Sequence, residues 1–378
     1  MDYRKKLFFY PKLYDHYHTD APFVKAMRGN AAFHEKHCAG YQKILAAGCV
    51  RPEDIHTVED LSKLPPIPTL FFKKHRLWSL PPELAVLKAT SSGTGGVVSH
   101  VGYDAKSLGF GLVMAVRTAL FHGLFSLKPT NYLILGYEPG RENHTIISKT
   151  QSASRLYAPL ILHTEYALRR CHGEYRLNRR GIQEALERYA KMRWPVRLIG
   201  FPAYTYFLLT ELKKAGISYR LPKDSMVILG GGWKQFYKEQ VDKQELYRLL
   251  EETLGIPESR CLEFFGAAEH PGIYCSCKHH HFHVPIYGRV IIRDVKTLEP
   301  LGFGKPGILN LLSPMAESMP LSSIMTDDLA VLHRGQDCGC GIDAPYFEIL
   351  GRAGLGEIKT CAAGAVEYLS SDKKREGL

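Results

Sequence analysis

The sequence predicts an α/β fold, a parallel sheet with helices on its faces, and three observations carry that expectation. Between about residues 84 and 235, short apolar runs rich in β-branched residues alternate with segments of helical character, the spacing of strand, helix and strand in a parallel sheet. Two of the apolar runs lead into glycine-rich stretches, where loops at the carboxyl ends of parallel strands gather ligands. The 378 residues are 45% hydrophobic and 23% charged, enough for an ample core and unlike a disordered chain.

Taken in order, residues 1–80 read as helical and rich in His, Tyr and Lys, closing in the proline-rich Leu64 to Pro68 and the pair Phe71-Phe72. No chemistry is assignable to them. Leu84 to Leu87 reads as a strand. Leu108 to Leu127, the most apolar span, is interrupted by Arg117 and His122 and suits a buried helix better than a membrane span. Tyr132 to Gly136 reads as a strand, Gly181 to Lys191 as a helix, Val196 to Gly200 as a strand, Ala203 to Ala215 as a helix and Met226 to Leu229 as a buried strand.

The formal charge of +11 fits an anionic ligand or an acidic partner; Lys and Arg are scattered and form no nucleic-acid-binding module. The N-terminus lacks the apolar region and cleavage site of a secretory signal. Nine cysteines in uneven spacing fit a reducing compartment, so the expectation is a cytoplasmic protein with no membrane span.

Four stretches carry chemistry. In Thr90-Ser91-Ser92-Gly93-Thr94-Gly95-Gly96, glycines let the backbone turn its N–H groups into one concavity and hydroxyls add donors for phosphate oxygens; a flexible surface loop is the competing reading. The triplet Gly230-Gly231-Gly232 would let a flat base or a phosphate lie against bare backbone, unless it is a plain turn. In Phe265-Gly266-Ala267-Ala268-Glu269, an aromatic ring for a base is followed by a carboxylate suited to Mg²⁺, with helix capping or a surface carboxylate as the competing reading of Glu269. The pair Asp327-Asp328 offers an acceptor for ribose hydroxyls, with a turn or helix cap as the alternative. Separately, Cys277, His283, Cys338 and Cys340, with Cys275 as substitute, have the soft donors of a closed, structural Zn²⁺ site, although the spacing matches no common finger and unliganded thiols with solvated histidines are the competing reading. Cys361 lies in a glycine-rich C-terminal segment two residues from Lys359, which would favour its thiolate; an inert cysteine near the terminus is the competing reading.

The order of these motifs resembles that of adenylate-forming enzymes, and Gly230 to Lys234 with the terminal cysteine resembles the LuxE acyl-protein synthetase family. The resemblance extends from Phe72-Lys73-Lys74 to Cys361. It implies an adenylate-forming large domain over residues 1–350 and a tail, 351–378, carrying the acyl-accepting cysteine, without the full C-terminal domain of typical relatives. It further implies that Thr90, Ser91, Ser92, Gly93, Thr94 and Gly95 hold the ATP phosphates, that Gly230 to Gly232 with Phe265, Gly266 and Ala267 frame adenine, and that Glu269 binds Mg²⁺. Asp328 would take the ribose, Arg352 the ribose or the hinge, and Cys361 the acyl group. The zinc quartet instead resembles that of phenylacetate–CoA ligases. Ala268 stands where the superfamily usually has Thr.

The expected function is ATP-dependent activation of a carboxylic acid, by resemblance a fatty acid, and its transfer as a thioester to Cys361 for delivery to an acyl reductase. Two alternatives are an acyl-CoA or acyl-carrier-protein ligase and a zinc-stabilised binding protein without catalysis.

Overall fold

In a computed structural model the chain is described over residues 2–91, 98–140, 143, 145–171, 174–233 and 241–352. The fold class expected from the sequence is the one found, with two seven-stranded sheets at its centre.

The first sheet runs Tyr274–Cys275, Cys261–Phe265, Met226–Gly230, Val196–Gly200, Thr130–Tyr137, Ile161–Cys171, Glu174–Leu177. Its five inner strands are parallel and the two edge strands antiparallel. Period-two alternation divides each strand between two cores. Leu133, Leu135, Leu198, Val227 and Leu229 face the helices Arg179–Ala190, Pro202–Lys214 and Lys243–Leu254. Tyr132, Ile134, Ile199, Met226 and Ile228 face the opposite way.

The second sheet is antiparallel: Phe282–His283, Tyr346–Arg352, Ser323–His333, Pro306–Leu312, Arg289–Arg293, Pro300–Leu301. Ile67–Pro68 joins it in parallel, opposite Ile324 and Met325. The N-terminal helices Tyr3–Phe8 and His16–His37 pack Phe8, Phe23 and Met27 against Tyr287 and Leu312 from this sheet region.

Two expectations need correction. Helix does not persist through residues 1–80: after Ala39–Ala47 the chain is mostly short 3-10 turns and irregular backbone. Pro52, Pro65, Pro66 and Pro68 explain this, since proline lacks the N–H a helix interior needs and pushes its predecessor toward extended backbone. The apolar span 108–127 is not a buried helix. It forms Ala105–Phe121, capped by Asp104, which buries Phe110, Met114 and Thr118 but leaves Leu112 and Leu120 each 60% exposed. Among the described residues no helix is long and apolar enough to cross a membrane.

Candidate functional site

The site assembles at loops from both sheets and from a separate two-stranded one. The antiparallel hairpin Ala85–Thr90 and His100–Asp104 carries the hydroxyl-glycine loop at its tip. At the foot of that loop the Ser91 N–H donates to the Ser99 carbonyl at 3.1 Å and the Ser99 N–H to Ser91 Oγ at 3.0 Å. Thr90 also bridges to Thr145. Ser92, Gly93, Thr94 and Gly95 lie outside the described residues.

Glu269 follows the strand Cys261–Phe265 and is only 4% exposed. Burial raises its pKa above the usual carboxylate value, and the side chain of the fully buried Ser99, whose hydroxyl donates to the Thr69 carbonyl at 3.4 Å, holds part of that rise back. Lys73 acts on it in the same direction as Ser99, and the charge of Asp327 opposes them. The position of Lys73 follows from the second sheet. Ile67–Pro68 is pinned beside Ile324 and Met325, the Thr69 N–H donates to the Met325 carbonyl at 3.0 Å, and the short helix Phe71–Lys74 then presents the lysine. Where Ala268 lacks a hydroxyl, two others serve the loop: Ser99 at Glu269, and Tyr103, which donates to the Ala268 carbonyl at 3.1 Å.

Gly230 and Phe264 are register partners on adjacent parallel strands, so the triplet Gly230 to Gly232 and the stretch Phe265 to Ala267 emerge side by side at carboxyl ends. Gly231 and Gly232 have φ of 84° and 61°, a left-handed path that glycine takes without steric cost. The Phe265 ring packs with Tyr274, Phe282 and Phe347, at centroid distances of 6.2, 5.8 and 5.4 Å, so aromatic neighbours already hold it. The Asp pair is neither turn nor helix cap. It lies inside the strand Ser323–His333, with Asp327 exposed and Asp328 opposite Arg352, Oδ1 to Nε 3.8 Å. Burial raises the Asp328 pKa and Arg352 lowers it. Cys361 lies outside the described residues, as does the proposed tail from 353 onward.

At the seam between the sheets, one ligand atom from each of Cys277, His283, Cys338 and Cys340 lies within 4.8 Å of the others. The Cys277 and Cys338 sulfurs are 3.6 Å apart, and Cys340 Sγ lies 3.2 Å from His283 Nε2. Tetrahedral zinc with Zn–S bonds of about 2.3 Å separates its sulfurs by about 3.8 Å, so the donor set fits that ion. The other ring nitrogen, His283 Nδ1, donates to the Ala344 carbonyl at 2.7 Å and leaves Nε2 as the ligand. Cys275 is buried on its strand outside this group.

Sequence reasoning did not single out Ser99, Lys73 or Tyr103 for the site. Ser99 was within reach as the hydroxyl closing the glycine-rich loop. The other two depend on pairings between segments far apart in sequence.

Three comparisons place this geometry. The chain matches the family described as Acyl-protein synthetase, LuxE, over residues 17–370. It is 26% identical over 309 residues to a long-chain-fatty-acid–luciferin-component ligase of Vibrio harveyi, covering 81% of this chain and 78% of that protein. A ligase of the same name from Aliivibrio fischeri is 24% identical over 327 residues, covering 85% and 82%. Among solved structures, an open conformation of 2-hydroxyisobutyryl-CoA ligase with 2-HIB-AMP and CoA superposes with a TM-score of 0.64 at 12% identity, covering 88% of this chain and 69% of that one. That likeness establishes the shared fold. The chain therefore belongs to the LuxE acyl-protein synthetase family, and it is an enzyme of the AMP-forming ligase class.

Proposed function

We propose that the protein activates a long-chain fatty acid with ATP and carries the acyl group as a thioester on Cys361. The observation that carries the activation step is the buried Glu269 carboxylate, whose ionisation Ser99, at the foot of the hydroxyl-glycine loop, and the charge of Lys73 favour and that of Asp327 opposes. The substrate class is drawn from the names of the bacterial relatives.

The carboxylate oxygen of the acid attacks the α-phosphate, an O–P bond forms, and pyrophosphate leaves with the electrons of the broken bond. Mg²⁺, held at Glu269, would supply neutralising charge on the transferring phosphates. Thr90 to Gly95 would donate to the phosphate oxygens, Gly230 to Gly232 and Phe265 to Ala267 would frame adenine, and Asp328 with Arg352 would hold the ribose. The Cys361 thiolate then attacks the acyl carbonyl and AMP departs. The thioester passes to an acyl reductase. The four-ligand cluster Cys277, His283, Cys338 and Cys340 would hold a structural zinc with no position open for substrate.

Intact-protein mass after incubation with MgATP and a panel of carboxylic acids, with hydroxylamine as control, tests this reading. The expected result is a hydroxylamine-labile acyl adduct on Cys361. Carboxylate-dependent ATP–pyrophosphate exchange without an adduct would move the acceptor to CoA or a carrier protein. Silence in both assays would overturn the activation step itself.

A further inference from the structure

One face of the helix Ala105–Phe121 is uncovered. Ser107, Phe110, Met114 and Thr118 turn into the core, while Leu112, Val116 and Leu120, at four-residue intervals, form a stripe on the other side and are 47–60% exposed. Phe125 and Leu127 carry that apolar surface on past the helix. Two backbone hydrogen bonds, Ser126 N–H to the Tyr157 carbonyl at 2.9 Å and Thr130 N–H to the Leu160 carbonyl at 2.8 Å, bring Leu156 and Leu160 alongside. Ten of the seventeen large apolar side chains exposed among the described residues come from residues 112–127 and 156–162, a concentration that marks an interaction surface.

The charges in these segments have one sign. Between Asp104 and Glu138, and again between Glu142 and Glu165, the chain has no Asp or Glu, yet it has Lys106, Arg117, Lys128, Lys149 and Arg155. Lys106 is taken up by Asp2 and Glu317, and Arg117 by the Phe8 and Pro11 carbonyls. Lys149 and Arg155 have no ion-pair partner among the described residues. Lys128 shares the Asp224 carboxylate with Arg260, which leaves that group net positive. Two copies of the chain meeting through this face would bring the same cations together, whereas an anionic partner would neutralise them.

We propose that this face docks the protein on the surface of an anionic phospholipid bilayer. The leucines and Phe125 enter the boundary between headgroups and acyl chains, and Lys128, Lys149 and Arg155 meet the lipid phosphates. Such a surface lies in the plane of the interface and needs no membrane-crossing helix. Its composition favours lipid over protein, since leucine beside Lys and Arg is the make-up of a monotopic membrane face, while protein interfaces draw their binding energy from Trp, Tyr and Arg and little from Leu.

The test offers the full chain to vesicles of phosphatidylglycerol and phosphatidylcholine in equal parts, and to vesicles of phosphatidylcholine alone. Neither ATP nor a carboxylic acid is present, so the outcome is independent of the activation reading. Co-sedimentation should be strong with the first vesicles, weak with the second, and should fall with added salt. Leu112→Ser/Leu120→Ser and, separately, Leu127→Ser/Leu160→Ser should each lower the partition coefficient about tenfold or more at unchanged Tm, because side chains already exposed add little to the fold. Phe303→Ser, which alters a side chain 46% exposed in a turn of the second sheet, should bind as the unaltered chain does. Binding retained by both double variants would overturn the assignment of this face, and no binding of the unaltered chain to anionic vesicles would overturn the proposal. A dimer in sedimentation velocity without lipid, dissolved by Leu112→Ser/Leu120→Ser, would give the face to a second copy and overturn the lipid assignment.

Discussion

Burial favours the neutral form of Glu269, yet only the ionised carboxylate can hold a divalent cation, so the role proposed for this residue sets fold against function. Its pKa is higher folded than unfolded, so the cost to stability is absent below the ordinary glutamate value and complete above the folded one. Glu269→Gln should therefore raise the Tm at pH 7, with the gain fading as pH falls toward about 4, the ordinary range. The same change should slow ATP–pyrophosphate exchange by about 10²-fold or more. Calorimetry across pH, beside the exchange assay, checks both. His34 makes the opposite case of a buried group with a purely structural part. Its Nε2–H donates to the Ala316 carbonyl at 3.1 Å and Nδ1 accepts from Ser79 at 2.7 Å, so both nitrogens are engaged by the neutral ring. Burial depresses its pKa to about 3. The unfolded chain takes up a proton that the fold refuses, so stability is lost as pH falls from about 6.5 toward 3. By pH 5 the loss is about 2 kcal/mol. Urea denaturation of His34→Gln, which keeps a donor for Ala316, should show a fall between pH 7 and pH 5 that is smaller by about that amount. Nothing in the N-terminal sequence separates this histidine from its solvated neighbours, because its partners lie some 45 and 282 residues away.

At the level of elements, legibility follows burial on both faces. Val196–Gly200 and Met226–Gly230 are covered by helices on one side and a second core on the other, so they stand out in the sequence as unbroken apolar runs. Ser323–His333 is hard to read as one strand because its buried run is broken by the exposed Asp327 and the half-buried Asp328 and Leu329 before burial resumes at Ala330, and its Asp pair mimics a turn until Arg352 is seen across the ladder. The edge pairing of Ile67–Pro68 was hidden for a different reason, since a strand of two residues has no periodicity to detect. The hairpin bearing Ser99 depends on one close approach. A Cβ at Gly102 would strike the Trp78 ring and lie 3.1 Å from the Ala85 Cβ, while the Gly102 carbonyl accepts from Ser318. Gly102→Ala should destabilise the protein by about 1–3 kcal/mol through overpacking. It should also lower exchange activity, because a shift of His100–Asp104 displaces the hydroxyl that serves Glu269. A melt and an exchange assay on the same preparation read the two effects, and full activity with an unchanged Tm would show that the strand absorbs the methyl group without moving.

At the scale of the whole molecule, the Cys and His cluster joins what the two sheets would otherwise leave separate. Cys277 follows the edge strand Tyr274–Cys275 of the first sheet, His283 belongs to the edge strand Phe282–His283 of the second, and Cys338 and Cys340 come from the turn after Ser323–His333. The loop carrying Glu269 sits just upstream of the first ligand, and the strand carrying Asp328 just upstream of the last two. A metal here would fix the register between the two groups assigned to Mg²⁺ and ribose without touching either substrate. Metal analysis of the purified chain should find one zinc per molecule. Cys338→Ser should lose it and lower the Tm by about 5 °C, because a closed site contributes its binding free energy to the fold. Cys275→Ser should keep the metal, since that thiol is not among the four clustered donors. Exchange activity in Cys338→Ser should persist well below the new melting point and fail near it, as expected of an ion that positions rather than reacts. A variant that melts normally but has lost exchange at every temperature would give the cluster a place in the chemistry, and one that keeps both its Tm and its activity without zinc would show that packing of Cys277, Cys338 and Tyr346 already closes the seam.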